Sequence, residues 1–415
     1  MRNLFDQYDG YENRLTHALA VCLDEDRTLL GDFLSWVGVT PPVRATTLSV
    51  AEQSLPGDAP EADEEAERKG LPDIVIHDGE TWCLLVESKV QAALTGDQLT
   101  RHVRTLHRRG FSRVSRLALT KADARPLKTI ARTWATLYEW LGTVAHREWP
   151  DRLRAYLRAA EIRLAREEYL TEGTLTRFVG FQFSDDNPYT YGEGKRLLKL
   201  AIAELRKDRT LRALGMDPKA PGRSAITGRG ARSVWDFLSL KDRPKHGSFT
   251  SYPHLTLSVQ AEFIEIAVTI PNGVTRTVRQ RLVDLGVDGL IALNEQISKR
   301  TRRIVDGHGW CGAYALQRHY LSQRSIGIMD ARLTFKLETS QRRGRSAVKR
   351  RSEWVETFAA LLRRKGANIQ FGYTVQLWWG DVPELASRKS LQLIVDSWCA
   401  MGPLLDVIRG VQRYG

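Results

Sequence analysis

The spacing of apolar and polar positions divides the first part of the chain into short, distinct elements. Leu15, Leu19 and the Cys22/Leu23 step recur at helical intervals, which predicts a first helix over residues 10–23. Glu12 stands three residues before Leu15 and seven before Leu19, so its carboxylate extends the apolar stripe. A first-turn glutamate favoured by the helix dipole is the structural alternative for that residue. Residues 52–69 follow, crowded with Asp and Glu and broken by Pro56, Gly57 and Pro60, and they read as a solvated excursion. Next come two short runs, 74–76 and 83–86, that are apolar without alternation. Such runs predict central strands of a sheet covered on both faces, and Asp78-Gly79 between them predicts a hairpin. Thr95 and Gln98 fit a capping box, Leu99, Val103 and Leu106 make a buried stripe, and Gly110 ends that helix. Val114, Leu117 and Leu119 predict a further strand running into Thr120, and helical patterns resume at 127–141 and 152–169. The order helix, strand, strand, helix, strand, helix describes an α/β unit.

Beyond residue 170 the pattern is looser. Residues 194–205 are amphipathic at helical spacing, 218–232 form a Gly-, Pro- and Arg-rich linker or loop, and 254–258 and 263–270 read as strands. Residues 278–299 and 353–365 read as helices, and 331–339 and 369–379 as extended chain, with Phe371, Tyr373, Trp378 and Trp379 expected in a core. The expected organisation is an α/β domain over residues 1–150 and a separate α+β domain over 151–415.

Charge sharpens that division. The 415 residues carry a formal charge of +13, but residues 1–150 hold 18 basic against 22 acidic side chains, and 151–415 hold 44 against 27. A net of −4 in front and +17 behind points to a polyanionic partner for the second part. Cys22, Cys83, Cys311 and Cys399 are scattered, which excludes a zinc ribbon, an iron–sulfur centre and a disulfide scaffold. No run approaches the length of a membrane span, and the first eight residues lack the apolar core of a signal peptide, so a reducing cytoplasmic setting is expected.

The densest chemistry flanks the hairpin. Pro72-Asp73 opens its first strand and Glu87-Ser88-Lys89 closes its second. Two carboxylates from adjacent strands can hold a hard divalent cation, which lowers the pKa of bound water and offsets charge growing on a phosphate. Lys89 follows Glu87 by two and shares its strand face, where an ammonium orients a nucleophile and stabilises the transition state. Register sets a condition on this proposal. With Asp78-Gly79 as a two-residue turn, Asp73 opposes Leu84, and Glu87 lies on the order of 10 Å further along on the opposite face. A shared metal therefore requires a wider turn or a bulge between residues 77 and 87 that shifts the register by an odd number.

On these residues the chain resembles the PD-(D/E)xK nuclease superfamily, over roughly residues 10–145. Gln98-Leu-Thr-Arg-His102 is similar to the Gln-Leu-x-x-Tyr motif of many members, with His102 in place of the tyrosine. The resemblance implies a restriction-endonuclease-like core with a mixed central sheet flanked by helices. It also implies a magnesium-dependent endonuclease acting on DNA, with manganese as a substitute, in defence against foreign DNA. Asp73 and Glu87 are then the metal ligands, supplemented by the Ser88 carbonyl. Lys89 acts on the nucleophile, Glu12 is an additional acid and Gln98 a positioning residue. The alternative from another class is a nuclease-fold interaction module whose catalysis is absent or gated by a partner, and RNA is an alternative substrate. In the second part, Lys299–Arg303 and the cluster Arg342, Arg343, Arg345, Lys349, Arg350 and Arg351 are the basic runs expected to meet a nucleic-acid backbone. Sensing or homodimerisation are its other expected roles. His17 and His77 could reach the same cleft, but lone histidines near turns are expected to be structural or surface groups. Residues 227–232 lack a P-loop ending, which excludes that route to nucleotide hydrolysis.

Overall fold

A computed structural model describes residues 10–52, 72–90, 94–122, 128–144, 148–166, 173–220, 232–243, 249–306, 308–322, 327–337, 353–364 and 366–411. The chain folds as two compact units, residues 1–177 and 178–415. The boundary falls later than residue 150. Helix 148–166 buries Leu153, Leu157, Ala160 and Leu164 in the first core, and Glu161, fully buried, accepts hydrogen bonds from the Leu175 and Thr176 N–H groups.

The first unit contains α1 (Tyr11–Glu25), α2 (Arg27–Val37), β1 (Ser49–Glu52), β2 (Ile74–His77), β3 (Trp82–Lys89), α3 (Gly96–Arg108), β4 (Arg113–Thr120), β5 (Ile130–Thr133), α4 (Trp134–Leu141) and α5 (Glu148–Arg166). Its sheet is mixed and runs β1-β2-β3-β4-β5, antiparallel through β3 and parallel from β3 to β5. Both faces are covered, as the unalternating runs predict. Ile74, Ile76, Leu84 and Val86 pack under α1, α2, α4 and α5 with Leu15, Leu19, Phe33 and Trp134. Val75, Cys83 and Leu85 pack on the opposite face against Leu99, Val103 and Leu106 of α3.

Three local expectations are corrected. The hairpin is not a two-residue turn. The Asp78 carboxylate accepts from the N–H groups of Glu80, Thr81 and Trp82 at 2.8, 3.0 and 3.0 Å, and Gly79 takes φ 82°. That Asx-type cradle widens the loop so that His77 pairs with Cys83. Residues 127–141 are not one helix. Ile130 and its neighbours extend β5 beside β4, and Thr133 then caps α4 through a reciprocal box with Thr136. The pattern also passed over α2, which Asp26 caps by accepting from the Leu29 N–H and Gly38 terminates in the left-handed conformation.

The second unit is an antiparallel sheet with helices. It contains α6 (Tyr191–Leu205), α7 (Arg209–Ala213), β6 (Ser233–Ser239), β7 (His254–Gln260), β8 (Phe263–Ile270), α8 (Arg276–Asp284), α9 (Gly286–Val305), β9 (Gly309–His319), β10 (Ile328–Lys336), α10 (Glu353–Arg363), β11 (Ile369–Trp378), α11 (Lys389–Ala400) and α12 (Gly402–Arg409). The strand order is β10-β9-β11-β8-β7-β6. Phe371 and Tyr373 are core residues as expected, while Trp378 and Trp379 are half-buried at its margin. The helix expected at 278–299 is two helices, because Gly286 adopts φ 63° at the junction. Lys299–Arg303 lies in α9, with Thr301 buried and Arg300, Arg302 and Arg303 outward. The acidic stretch beyond Glu52, residues 227–231 and the cluster Arg342–Arg351 lie outside the described residues. Among the described residues no single helix is long and apolar enough to cross a membrane.

Candidate active site

The widened hairpin decides the geometry. Pairs Ile74↔Val86 and His77↔Cys83 extend by one step to set Asp73 opposite Glu87. Relative to a two-residue turn this is a shift of three, an odd number, so both carboxylates fall on one face. That is the condition the metal hypothesis requires. Directly opposed residues of an antiparallel pair bring their side chains within contact distance.

Four elements converge here. Lys89 Nζ lies 2.8 Å from Glu87 Oε1, 2.9 Å from Glu12 Oε1 and 3.8 Å from Asp73 Oδ2. The ammonium is thus the cation that three carboxylates share. Glu12 reaches it from α1, and its second oxygen accepts from the Val90 N–H at 3.0 Å. Asp73 Oδ2 accepts from the Ser88 N–H at 2.7 Å, while the Ser88 hydroxyl turns to Thr16 on α1. From α3, Thr95 caps the helix by accepting from the Gln98 N–H, and the Gln98 side chain donates to Glu87 Oε1. The reciprocal half of the expected capping box is therefore absent: Gln98 is committed to Glu87. One turn on, His102 Nε2 sits 3.3 Å from Glu87 Oε2, and both groups are almost wholly buried. The sequence flags His102 only as a departure from a tyrosine; its contact with Glu87 emerges from helix phase, four residues after Gln98.

Electrostatics separates the acids. Burial, and next the Glu87 charge, push the Asp73 carboxyl up to about 7 against the pull of Lys89 and the Ser88 N–H. Burial pushes Glu87 upward too, but contacts from His102 and Lys89 outweigh it and hold its carboxyl below the usual range. Burial disfavours the Lys89 ammonium, yet Asp73, Glu87 and Glu12 outweigh it and hold its pKa above the ordinary lysine value. One carboxyl poised near neutrality beside a firmly ionised one is an arrangement suited to proton and cation exchange.

The donor set is of the kind that suits a hard divalent cation: the oxygens of Glu12, Asp73 and fully buried Glu87 already converge on one cationic centre, the Lys89 ammonium. Among the described residues no group of three or more His, Cys, Asp or Glu side chains is placed to hold a metal ion, and the cation that these acids meet is the Lys89 ammonium. His17 and His77 are elsewhere engaged. His17 Nδ1 pairs with Glu52 Oε2 at 2.7 Å, and His77 Nδ1 accepts from the Gly79 N–H at the turn end of the hairpin. No protein-family model matches the chain, and no curated protein matches it significantly.

Proposed function

We propose that the first unit is a metal-dependent nuclease of the PD-(D/E)xK kind, with a restriction-endonuclease-like core, acting on DNA in a cytoplasmic defence role. One observation carries this: the odd register shift that sets Asp73 opposite Glu87, with Lys89 on the same face and Glu12 and Gln98 completing the cluster. Asp73 and Glu87, with the Ser88 carbonyl as a further oxygen, would hold magnesium or manganese. The bound cation would lower the pKa of its water and offset charge on the scissile phosphate.

The remaining steps belong to the chain. Lys89, released from part of its carboxylate contacts, directs its ammonium to the attacking oxygen and the developing phosphorane charge. Asp73, poised near neutrality, would release its proton to solvent if a cation took its place on the carboxylate. Gln98 and His102 keep the Glu87 carboxylate oriented. The first test is plasmid cleavage with magnesium or manganese, with RNA and single-stranded DNA as parallel substrates. Wild type is expected to nick the plasmid, and Asp73→Ala to lose all activity; nicking that persists in Asp73→Ala sinks the assignment. Gln98→Ala removes only an orienting contact at a half-exposed helix position, so it is expected to fold normally and cut about 10- to 100-fold more slowly. Unchanged rates in that variant would leave Gln98 with no role beyond the helix surface.

A further inference from the structure

The distal part of the β9–β10 hairpin stands out from its sheet. β10 is an edge strand, and residues Ile328–Arg332 are exposed on both of its faces. The register sorts its side chains. Arg332 pairs with Leu316, Thr334 with Tyr314 and Lys336 with Gly312, so Arg332, Thr334 and Lys336 share one face; Arg332 Nε donates to Thr334 Oγ1 at 2.9 Å along it. Arg318, two residues beyond Leu316, lies on the same face of β9, directly across from Met329. Tyr320 continues that face, and Tyr320 and Met329 are 53% and 58% exposed at its far end. The carboxylate of this ribbon, Asp330, sits at the register shift and is taken by His319.

Among the described residues, Arg318, Arg332 and Lys336 have no carboxylate partner. Three unneutralised cations in a row, ending in an aromatic and a thioether, make a surface complementary to a polyanion that also offers an apolar face. From Arg332 to Lys336 the stripe runs about 13 Å along the sheet's edge, where β9 is also paired with β11. Only the tip beyond Gln317, which carries Arg318, Tyr320 and Met329, is two-stranded and narrow enough for the roughly 12 Å major groove of B-form DNA, so Arg332 and Lys336 flank the groove at its backbone.

We propose that this face of the β9–β10 ribbon binds duplex DNA, with Arg318, Arg332 and Lys336 on the phosphate backbone and Tyr320 and Met329 against the groove. The choice of DNA rests on the nuclease assignment above; the choice of surface does not. The ribbon supplies the grip, since the front part of the chain is net acidic and the back part net basic.

The test is fluorescence anisotropy of the full chain on a labelled duplex in EDTA, over a series of salt concentrations. The triple variant Arg318→Ala/Arg332→Ala/Lys336→Ala is expected to bind about tenfold or more weakly and to flatten the slope of log affinity against log salt by about 2 to 3. His319→Ala, on the opposite face, is expected to bind as wild type does. Equal affinity of wild type and triple variant overturns the proposal, as does failure of wild type to bind duplex. A triple variant that changes from dimer to monomer by light scattering, with the salt slope unmoved, assigns the face to a second copy and also overturns it. Because EDTA blocks cleavage, a chain that binds through the ribbon but never cuts with magnesium keeps this inference and refutes the nuclease assignment alone.

Discussion

Lys89→Met is expected to abolish plasmid cleavage and to destabilise the metal-free first unit by about 3–5 kcal/mol at pH 8, the range seen when one member of a buried ion cluster is removed. Three carboxylates now face one ammonium; take it away and Glu12, Asp73 and Glu87 keep the Val90 N–H, the Ser88 N–H and Gln98 with His102, but lose the cation they share at the end of β3. Methionine keeps the length and the packing, so the loss is electrostatic rather than a cavity. Two treatments are expected to restore stability. Lowering the pH protonates Asp73, the acid poised closest to neutrality. Adding a divalent cation supplies the missing charge, and saturation at about 100 times its dissociation constant returns roughly 2.7 kcal/mol. Cleavage is not expected to return with the fold, because the ammonium that meets the transition state is gone. Calorimetry with and without magnesium, beside the cleavage assay, reads both quantities. A variant as stable as wild type in EDTA would mean that the carboxylates do not depend on Lys89. A stable variant that still cuts would remove Lys89 from the mechanism.

Much of this cluster is legible in the sequence, and the reasons are specific. Asp73, Glu87 and Lys89 stand at the ends of two runs whose lack of alternation marks them as interior strands, and both strands are indeed paired on each side. What the residue order could not supply was register. An Asp-Gly pair favours a two-residue turn, yet the Asp78 carboxylate gathers three successive N–H groups and opens the loop. Only the demand that both acids share a face anticipated the shift. β5 was hidden for a different reason: its four residues precede a helix with a strong apolar face, and the combined pattern reads as one helix. The strand forms because β4 offers it a parallel partner, a tertiary fact no local propensity contains. The pairing of His17 with Glu52 was equally out of reach, since β1 is four residues long and bounded by the acidic stretch.

Asp73 gives the second large effect, and its sign is unusual for a carboxylate. In the folded, metal-free protein its pKa rises to about 7 from an ordinary 3.8, through burial first and the Glu87 charge second. The folded state therefore holds the proton more tightly than the unfolded chain does. The stability this contributes is fully present below about pH 4 and is lost progressively as the pH rises toward 7, by several kcal/mol over that interval. Glu87 works the other way: its depressed pKa contributes stability at neutral pH that is lost in acid. Comparing wild type with Asp73→Asn cancels the acids that do not touch Asp73 and leaves Asp73 together with its coupling to Glu87. The difference in unfolding free energy, measured in EDTA by urea titration from pH 4 to 8, is expected to move in favour of the asparagine variant as the pH rises. Manganese is expected to flatten the wild-type curve, since a cation on Asp73 displaces the same proton, and to leave the asparagine variant nearly unmoved. Parallel curves for the two proteins would place Asp73 in an ordinary solvated setting. A wild-type curve that manganese does not alter would break the link between the titrating carboxyl and the cation site, and with it the reason for burying an acid opposite Glu87 at all.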